Sequence, residues 1–277
     1  SSKIGNQTKV ILQGDGGDEM FGGYSRYSTL TFYKLARMWS KFGQAFNPYW
    51  RHDPRYFRYR RYVNAFKPAD IAEVMALLLT EDDRQSNPPA IFLPGFRREL
   101  MQHDPFIRYR ECQAQFRNED VVNQMLMVDA MIILPDIFLE KVDRATMAAS
   151  IEVRVPLLDN DLVDFCMRLS GPQKVRFGVK KWLLKQALIG VVPNDVLFGK
   201  KTGFGVPYGS WLRNALKSFF LDHLEAFRIK HRDVLDDHVI RKMYGQHCSR
   251  ERDHSFILWK ILNLMIWSNQ RQISFTK

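Results

Sequence analysis

The sequence predicts a mostly α-helical chain that keeps only a remnant of a parallel α/β sheet. Val10-Ile11-Leu12 is a short apolar run closed by Gly14, which reads as a buried strand entering a loop. Beyond that loop the chain is largely helical in pattern, and only Ile151-Glu152-Val153-Arg154-Val155 alternates strictly enough to suggest a second extended segment. A parallel sheet needs several strands covered on both faces, so this inventory reads as a chain that starts inside a domain. On that reading residues 1–47 are the remnant of an α/β core and residues 48–277 its mainly helical part.

From Met20 the pattern turns helical, with Tyr27, Leu30, Tyr33, Leu35 and Met38 near three-to-four spacing, and it ends around Gly43 and Pro48. Further helices are expected over 69–79 behind Pro68, 120–134, 136–149 opened by Pro135, 159–169, 180–188, 208–227 and 254–270. Pro88, Pro89 and Pro94 mark 81–95 as a loop between helical blocks. The apolar stretch Phe256 to Trp267 is broken by Lys260 and Asn263 and is too short to span a bilayer, so a buried helix and no membrane are expected.

With 277 residues, 45% hydrophobic and 26% charged, the chain lies in the soluble globular range. Three distant cysteines, Cys112, Cys166 and Cys248, argue against a disulfide framework and against paired zinc ligands. No secretory signal is visible, and a reducing cytoplasm fits best. The net charge of +11 owes much to the segment Arg51 to Tyr62, where arginines interleave with aromatics. Such a segment suits nucleic acid. It equally suits a solvated helix whose aromatics pack inward, and with no nucleic-acid module beside it that second reading is preferred. An excess of cations also suits a substrate or partner rich in phosphate.

Three constellations have the residue types for chemistry. The loop Gly14-Asp15-Gly16-Gly17-Asp18-Glu19 succeeds the strand, where α/β folds place ligands, and its glycines allow close approach of a bound group. It is not the dinucleotide fingerprint, because Glu19 stands where GxGxxG needs its last glycine. Its carboxylates repel phosphate unless a divalent cation intervenes, so phosphate binding here implies magnesium. Asp18 and Glu19 equally serve as caps for the next helix. Gly199-Lys200-Lys201-Thr202-Gly203-Phe204-Gly205-Val206-Pro207 joins two ammonium groups to a glycine loop that could fold over phosphate, or be a surface turn. Lys141-Val142-Asp143-Arg144 runs on to Glu152 and Arg154, which share one strand face opposite Ile151, Val153 and Val155. A charged face of this kind is usually solvated or internally paired.

Together these segments resemble the synthetase domain of the asparagine synthetase family. Residues Val10 to Tyr24 look like its [ST]GDGGDE[LM]F[GA]GY signature, Leu139 to Asp159 like its helix and EXRVPXLD segment, and Lys180 to Pro207 like KxxLxxA followed by K-x-GF-x-x-P. The matches keep the family's order over roughly residues 8–210. The resemblance implies an α/β adenine nucleotide alpha hydrolase-like (ATP-pyrophosphatase) domain with a helical C-terminal extension. It implies activation of aspartate by ATP as an aspartyl-adenylate, release of pyrophosphate, and displacement of AMP by ammonia from a glutaminase domain. Carried over by position, Gln13, Gly14 and Asp15 lie at the nucleotide, Asp15 near the activated carboxylate and ammonia, and Asp18 on magnesium. Lys201 stabilises charge on the phosphates, and Arg154, Glu152, Lys141, Asp143 and Arg144 shape the acceptor side.

Against the family pattern, Gln13 stands where Ser or Thr is usual, and neither the SGGxDS pyrophosphate loop nor the glutaminase domain is found in these 277 residues. The expectation is a fragment that keeps part of the site and lacks turnover alone, with self-association into a homodimer allowed by an exposed sheet edge. The rivals are a related amide-forming synthetase of β-lactam or lasso-peptide type and, from another class, a basic helical nucleic-acid-binding module.

Overall fold

Val10, Ile11 and Leu12 form the expected strand, β1 (Val10–Leu12), which pairs in parallel with β2 (Glu152–Arg154) in the register Val10–Glu152, Ile11–Val153, Leu12–Arg154. The computed structural model describes residues 3, 5, 7–42, 57–79, 88–199 and 205–275, and among these the two strands are the whole sheet. All the other elements among the described residues are helical, as expected of a mostly helical part of a synthetase domain. The chain divides into two units, residues 1–45, 66–76 and 106–201, and residues 46–65, 77–105 and 202–277.

In the first unit, alternation along β2 puts Glu152 and Arg154 on the exposed face and tucks Val153 in, next to fully buried Ile151. β1 is not the buried strand expected: Val10 and Leu12 are exposed, Leu12 to 72%, because among the described residues the sheet has two strands and β1 lies at its edge. The helical pattern from Met20 divides into Gly17–Phe21, Ser25–Leu30 and Tyr33–Phe42. The first break has a physical cause: Gly22, at φ 78°, caps the Gly17–Phe21 helix in the left-handed conformation.

The Val121–Met131 helix runs through the core of this unit, and all residues from Val122 to Asp129 are buried. Asp120 caps it by accepting from Asn123 N–H at 3.0 Å, and its other carboxylate oxygen accepts from Gly171 N–H at 2.7 Å. Pro135 does not open a new helix here. It lacks an N–H, and the ladder widens into a π-helical stretch, Leu134–Leu139, before Glu140–Met147 continues it. The resulting helical run Val121–Met147 is long and apolar enough to cross a membrane by length and composition. Its first part, Val122 to Asp129, is buried in the unit, whereas most residues from Asp136 to Met147 are exposed. Met20, Phe21, Leu134 and Cys166 are buried together, with Phe138, Leu158, Leu162 and Leu184 packed around them.

Lys174 is a charged residue inside this core, 2% exposed, and its Nζ donates to Asn123 Oδ1 at 2.7 Å. Burial pushes its pKa down to about 8. The unfolded chain therefore holds more protons than the folded one between about pH 8 and the ordinary lysine range, and stability rises with pH across that window. Urea denaturation at pH 7.5 and 9.5 is expected to show a gain on the order of 1–2 kcal/mol in the wild type that Lys174→Met lacks. An equal pH response in both proteins would mean that Lys174 is hydrated.

The second unit is built from helices. In Ser255–Gln270 the buried residues Leu258, Ile261, Leu262 and Met265 recur at i, i+3, i+4, i+7, so the apolar terminal segment is the buried helix its composition suggests. They pack with Leu212, Phe220, Leu224 and Ile240 from Tyr208–Arg213, Lys217–Lys230 and Asp237–Cys248. The single helix expected over 208–227 is two, because Asn214 turns its amide back to Ser210 O at 2.9 Å and leaves the helical conformation. The proline-marked segment is not all loop, since Pro88–Ile91 forms a 3₁₀ turn and Pro94 opens a helix, Pro94–Leu100, while residues 81–87 lie outside the described residues. Phe57–Ala65 is helical, whereas Arg51 to Tyr56 lie outside the described residues.

Candidate active site

The ladder between β1 and β2 carries the glycine loop. Beyond Leu12, Gln13 N–H still donates to Arg154 O at 2.9 Å, and Gln13 Nε2 donates to Asp15 Oδ2 at 2.7 Å. Gly16, at φ 82°, turns the chain into the Gly17–Phe21 helix, and it does so against β2's continuation: a Cβ there would lie 2.3 Å from Leu158. Gln13, Gly14 and Asp15 are thereby held at the end of β1 beside Arg154, which with Glu152 is on the strand face the alternation predicts. Arg154 and Glu152 form an exposed pair at 2.8 Å.

Asp18 leaves the helix toward Lys181, whose Nζ lies 2.8 Å from Asp18 Oδ1 in a half-buried pair. Lys181 sits at φ 53°, caps the Trp182–Ala187 helix, and donates its backbone N–H to Gly22 O. Glu19 turns the opposite way, inward, and is 2% exposed. Its Oε1 accepts from Tyr24 OH at 2.6 Å. Burial raises its pKa, with the Tyr24 hydrogen bond opposing. Arg26 stacks its guanidinium 4.0 Å from the Tyr24 ring and forks onto Asp129 Oδ2 at 2.9 and 2.7 Å. Tyr27 OH donates to the same oxygen at 2.5 Å.

Lys141, Asp143 and Arg144 lie on the exposed side of the Glu140–Met147 helix, which packs against β2. Lys141 is over the Phe138 ring at 5.2 Å and Arg144 pairs with Glu140 at 2.5 Å, so both cations engage neighbours along their own stretch of chain. Lys200 and Lys201 lie outside the described residues.

Among the described residues no group of three or more His, Cys, Asp or Glu could hold a metal ion. Asp18, already beside an ammonium, suits magnesium only as a single carboxylate on an ion whose other ligands come from water and a bound nucleotide's phosphates, the way magnesium is usually held.

Sequence reasoning left Lys181, Arg26 and Asp129 without roles. Lys181 carries a signal, since it is the lysine that opens the KxxLxxA pattern. Asp129 carries another, as the one carboxylate in the apolar run Met125 to Ile133. Nothing in the spacing points to Arg26.

The family model for asparagine synthase matches residues 1–269. The chain belongs to the asparagine synthase family. It is 29% identical to asparagine synthetase [glutamine-hydrolyzing] 1 of Bacillus subtilis (strain 168), over 93% of this chain and 40% of that protein. It is 30% identical to a putative asparagine synthetase [glutamine-hydrolyzing] of Mycobacterium tuberculosis (strain ATCC 25618 / H37Rv), over 94% of this chain and 39% of that protein. The chain thus spans about two fifths of the length of these curated relatives. No solved structure matches it significantly. Within this asparagine synthase chain, the glycine loop, the β2 face and the KxxLxxA segment that Lys181 opens lie in one unit.

Proposed function

We propose that the chain forms part of the synthetase site of a glutamine-dependent asparagine synthetase, which joins ammonia to the side-chain carboxylate of aspartate at the expense of ATP. The observation that carries this reading is the GDGGDE loop seated at the end of a parallel strand, with Asp18 held by Lys181, in a chain matched by the family over nearly its whole length.

In this reading ATP lies against Gln13 and Gly14, and Gly14 leaves room for it because no atom stands within 4 Å of where a Cβ would be. The aspartate carboxylate attacks the α-phosphorus, pyrophosphate departs, and Lys201 neutralises charge on the departing phosphates. Ammonia, supplied by a glutaminase domain, attacks the aspartyl-adenylate and expels AMP, while Asp15 takes a proton from the attacking nitrogen. Magnesium, when bound, supplies shielding of phosphate charge, and Asp18 is the residue that would hold it. Arg154 and Glu152, with Lys141, Asp143 and Arg144 on the preceding helix, orient the acceptor. The chemistry belongs to the cytoplasm, where ATP and aspartate are abundant.

Calorimetric titration with ATP and magnesium, on this chain and on a form extended at its N-terminus to include an SGGxDS loop, tests the reading. Binding by the extended form supports it, and by the short chain as well if the described loop suffices. Absence of binding by both would overturn it.

A further inference from the structure

The glycine loop is anchored from behind by polar groups that none of the proposed chemistry uses. Arg26, 14% exposed in its side chain, and Asp129, at 0%, form an ion pair between two helices of one unit. A buried pair of this kind is an expensive way to join helices, since apolar residues of similar volume usually do as well or better. The details point to a different use. Asp129 Oδ2 takes two bonds from Arg26 and one from Tyr27, while Oδ1 is buried with no hydrogen-bond partner. All the donors are thus drawn to one oxygen, and that crowding fixes where the guanidinium lies. The guanidinium in turn lies over the Tyr24 ring, 4.0 Å from its centroid, and the Tyr24 ring also stacks with Phe138 at 6.5 Å and 16°. Tyr24 so held presents its hydroxyl to Glu19, the last residue of the GDGGDE loop.

We infer that Arg26 and Asp129 are positioning residues for the glycine loop: clamping Tyr24 keeps Glu19 turned inward, so that of the loop's three carboxylates two, Asp15 and Asp18, lie on the outer side. The benefit is electrostatic. A third carboxylate facing outward would repel an anionic nucleotide and compete for a cation, whereas Glu19 held on a phenol is withdrawn from both. Asp129, although desolvated, is kept in place by its three donors, and burial sets its pKa near 6. This inference rests on the loop being the nucleotide side of a synthetase site.

Hydrogen–deuterium exchange of the 277-residue chain, monitored by mass spectrometry, separates positioning from mere support. Arg26→Lys keeps the charge but loses the fork and the guanidinium over the Tyr24 ring. It is expected to speed exchange of amides 13–24 roughly tenfold, with the Ser255–Gln270 helix of the other unit unchanged. The triple variant Arg26→Met/Tyr27→Phe/Asp129→Leu removes every polar partner at once. Its midpoint in urea is expected to return to the wild-type value or above, while amides 13–24 remain fast, because nothing then aligns Tyr24. Recovery of loop protection together with the midpoint would show the pair to be structural only and overturn the inference. ATP and magnesium titration of the N-terminally extended protein runs beside it. Wild-type failure to bind there would sink the synthetase reading, while the exchange result would still decide whether the pair aligns the loop.

Discussion

Gly23→Ala is expected to destabilise the chain by about 3 kcal/mol and to open the Asp18–Lys181 pair. A Cβ on Gly23 would fall 1.7 Å from Asp18 Oδ1 and 2.5 Å from Lys181 Cε. The backbones of both residues are tied, by the Gly22 and Gly23 N–H groups donating to Asp18 O and by Lys181 N–H donating to Gly22 O, so the clash is relieved by turning the two side chains away, which breaks their pair. Gly14→Ala is the control: it meets nothing within 4 Å, so stability should change by no more than about 0.5 kcal/mol, while affinity for ATP with magnesium should fall if the nucleotide lies there. Urea denaturation of the two variants checks the first part. Equal stabilities would mean that the Asp18–Lys181 pair is looser than its 2.8 Å separation indicates.

Arg26→Met alone is expected to cost roughly 3–5 kcal/mol at pH 7, because it leaves Asp129 buried without its cation. The loss should depend on pH in a fixed direction. Asp129 is raised to about 6 in the folded chain by burial, with Arg26 the largest opposing influence and Glu19 adding to the rise. Taking Arg26 away raises it further. A carboxyl group with a raised folded pKa binds more protons folded than unfolded, so stability falls as pH rises from the ordinary aspartate value to the folded one. In the wild type that fall ends near pH 6, whereas in Arg26→Met it continues above it. The variant should thus lose less at pH 5 than at pH 7, measured by urea denaturation against the wild type at both. Glu19, Tyr24, Tyr27 and Tyr109 are the other titratable groups that bear on this site. The tyrosines stay protonated throughout, and Glu19, itself raised by burial, acts in the same direction. A pH-independent loss would place the proton elsewhere.

Much of the fold was readable in the residue order because it depends on local physics. The Val10 to Leu12 strand, the glycine turn after it, the alternating strand at Glu152 to Arg154 and the apolar stripe of the last helix are written in periods of two and of three to four residues. The family motifs were legible for a related reason: a loop that must approach a ligand closely spells out its glycines and carboxylates in consecutive positions. Helix boundaries were less legible. The breaks at Gly22, Asn214 and the π-turn at Pro135 depend on whether a backbone group finds a partner one turn away, and propensity alone does not say.

By itself the sequence determined that this chain is largely helical, that a single glycine loop succeeds its first strand, and that the loop, the β2 charges and the KxxLxxA lysine belong together in the asparagine synthase family. Only the tertiary structure decided which charges meet. The parallel pairing of β1 with β2 joins residues some 140 apart, placing Gln13 beside Arg154, and the fold carries Lys181 to Asp18 and Arg26 to Asp129 across separations of 163 and 103 residues. Such pairs leave no periodic trace, because an ion pair needs only two side chains at the right distance. That distance is set by packing between segments far apart along the chain, such as that of Met20 and Phe21 with Leu134 and Cys166, rather than by anything in either residue's neighbourhood along the chain.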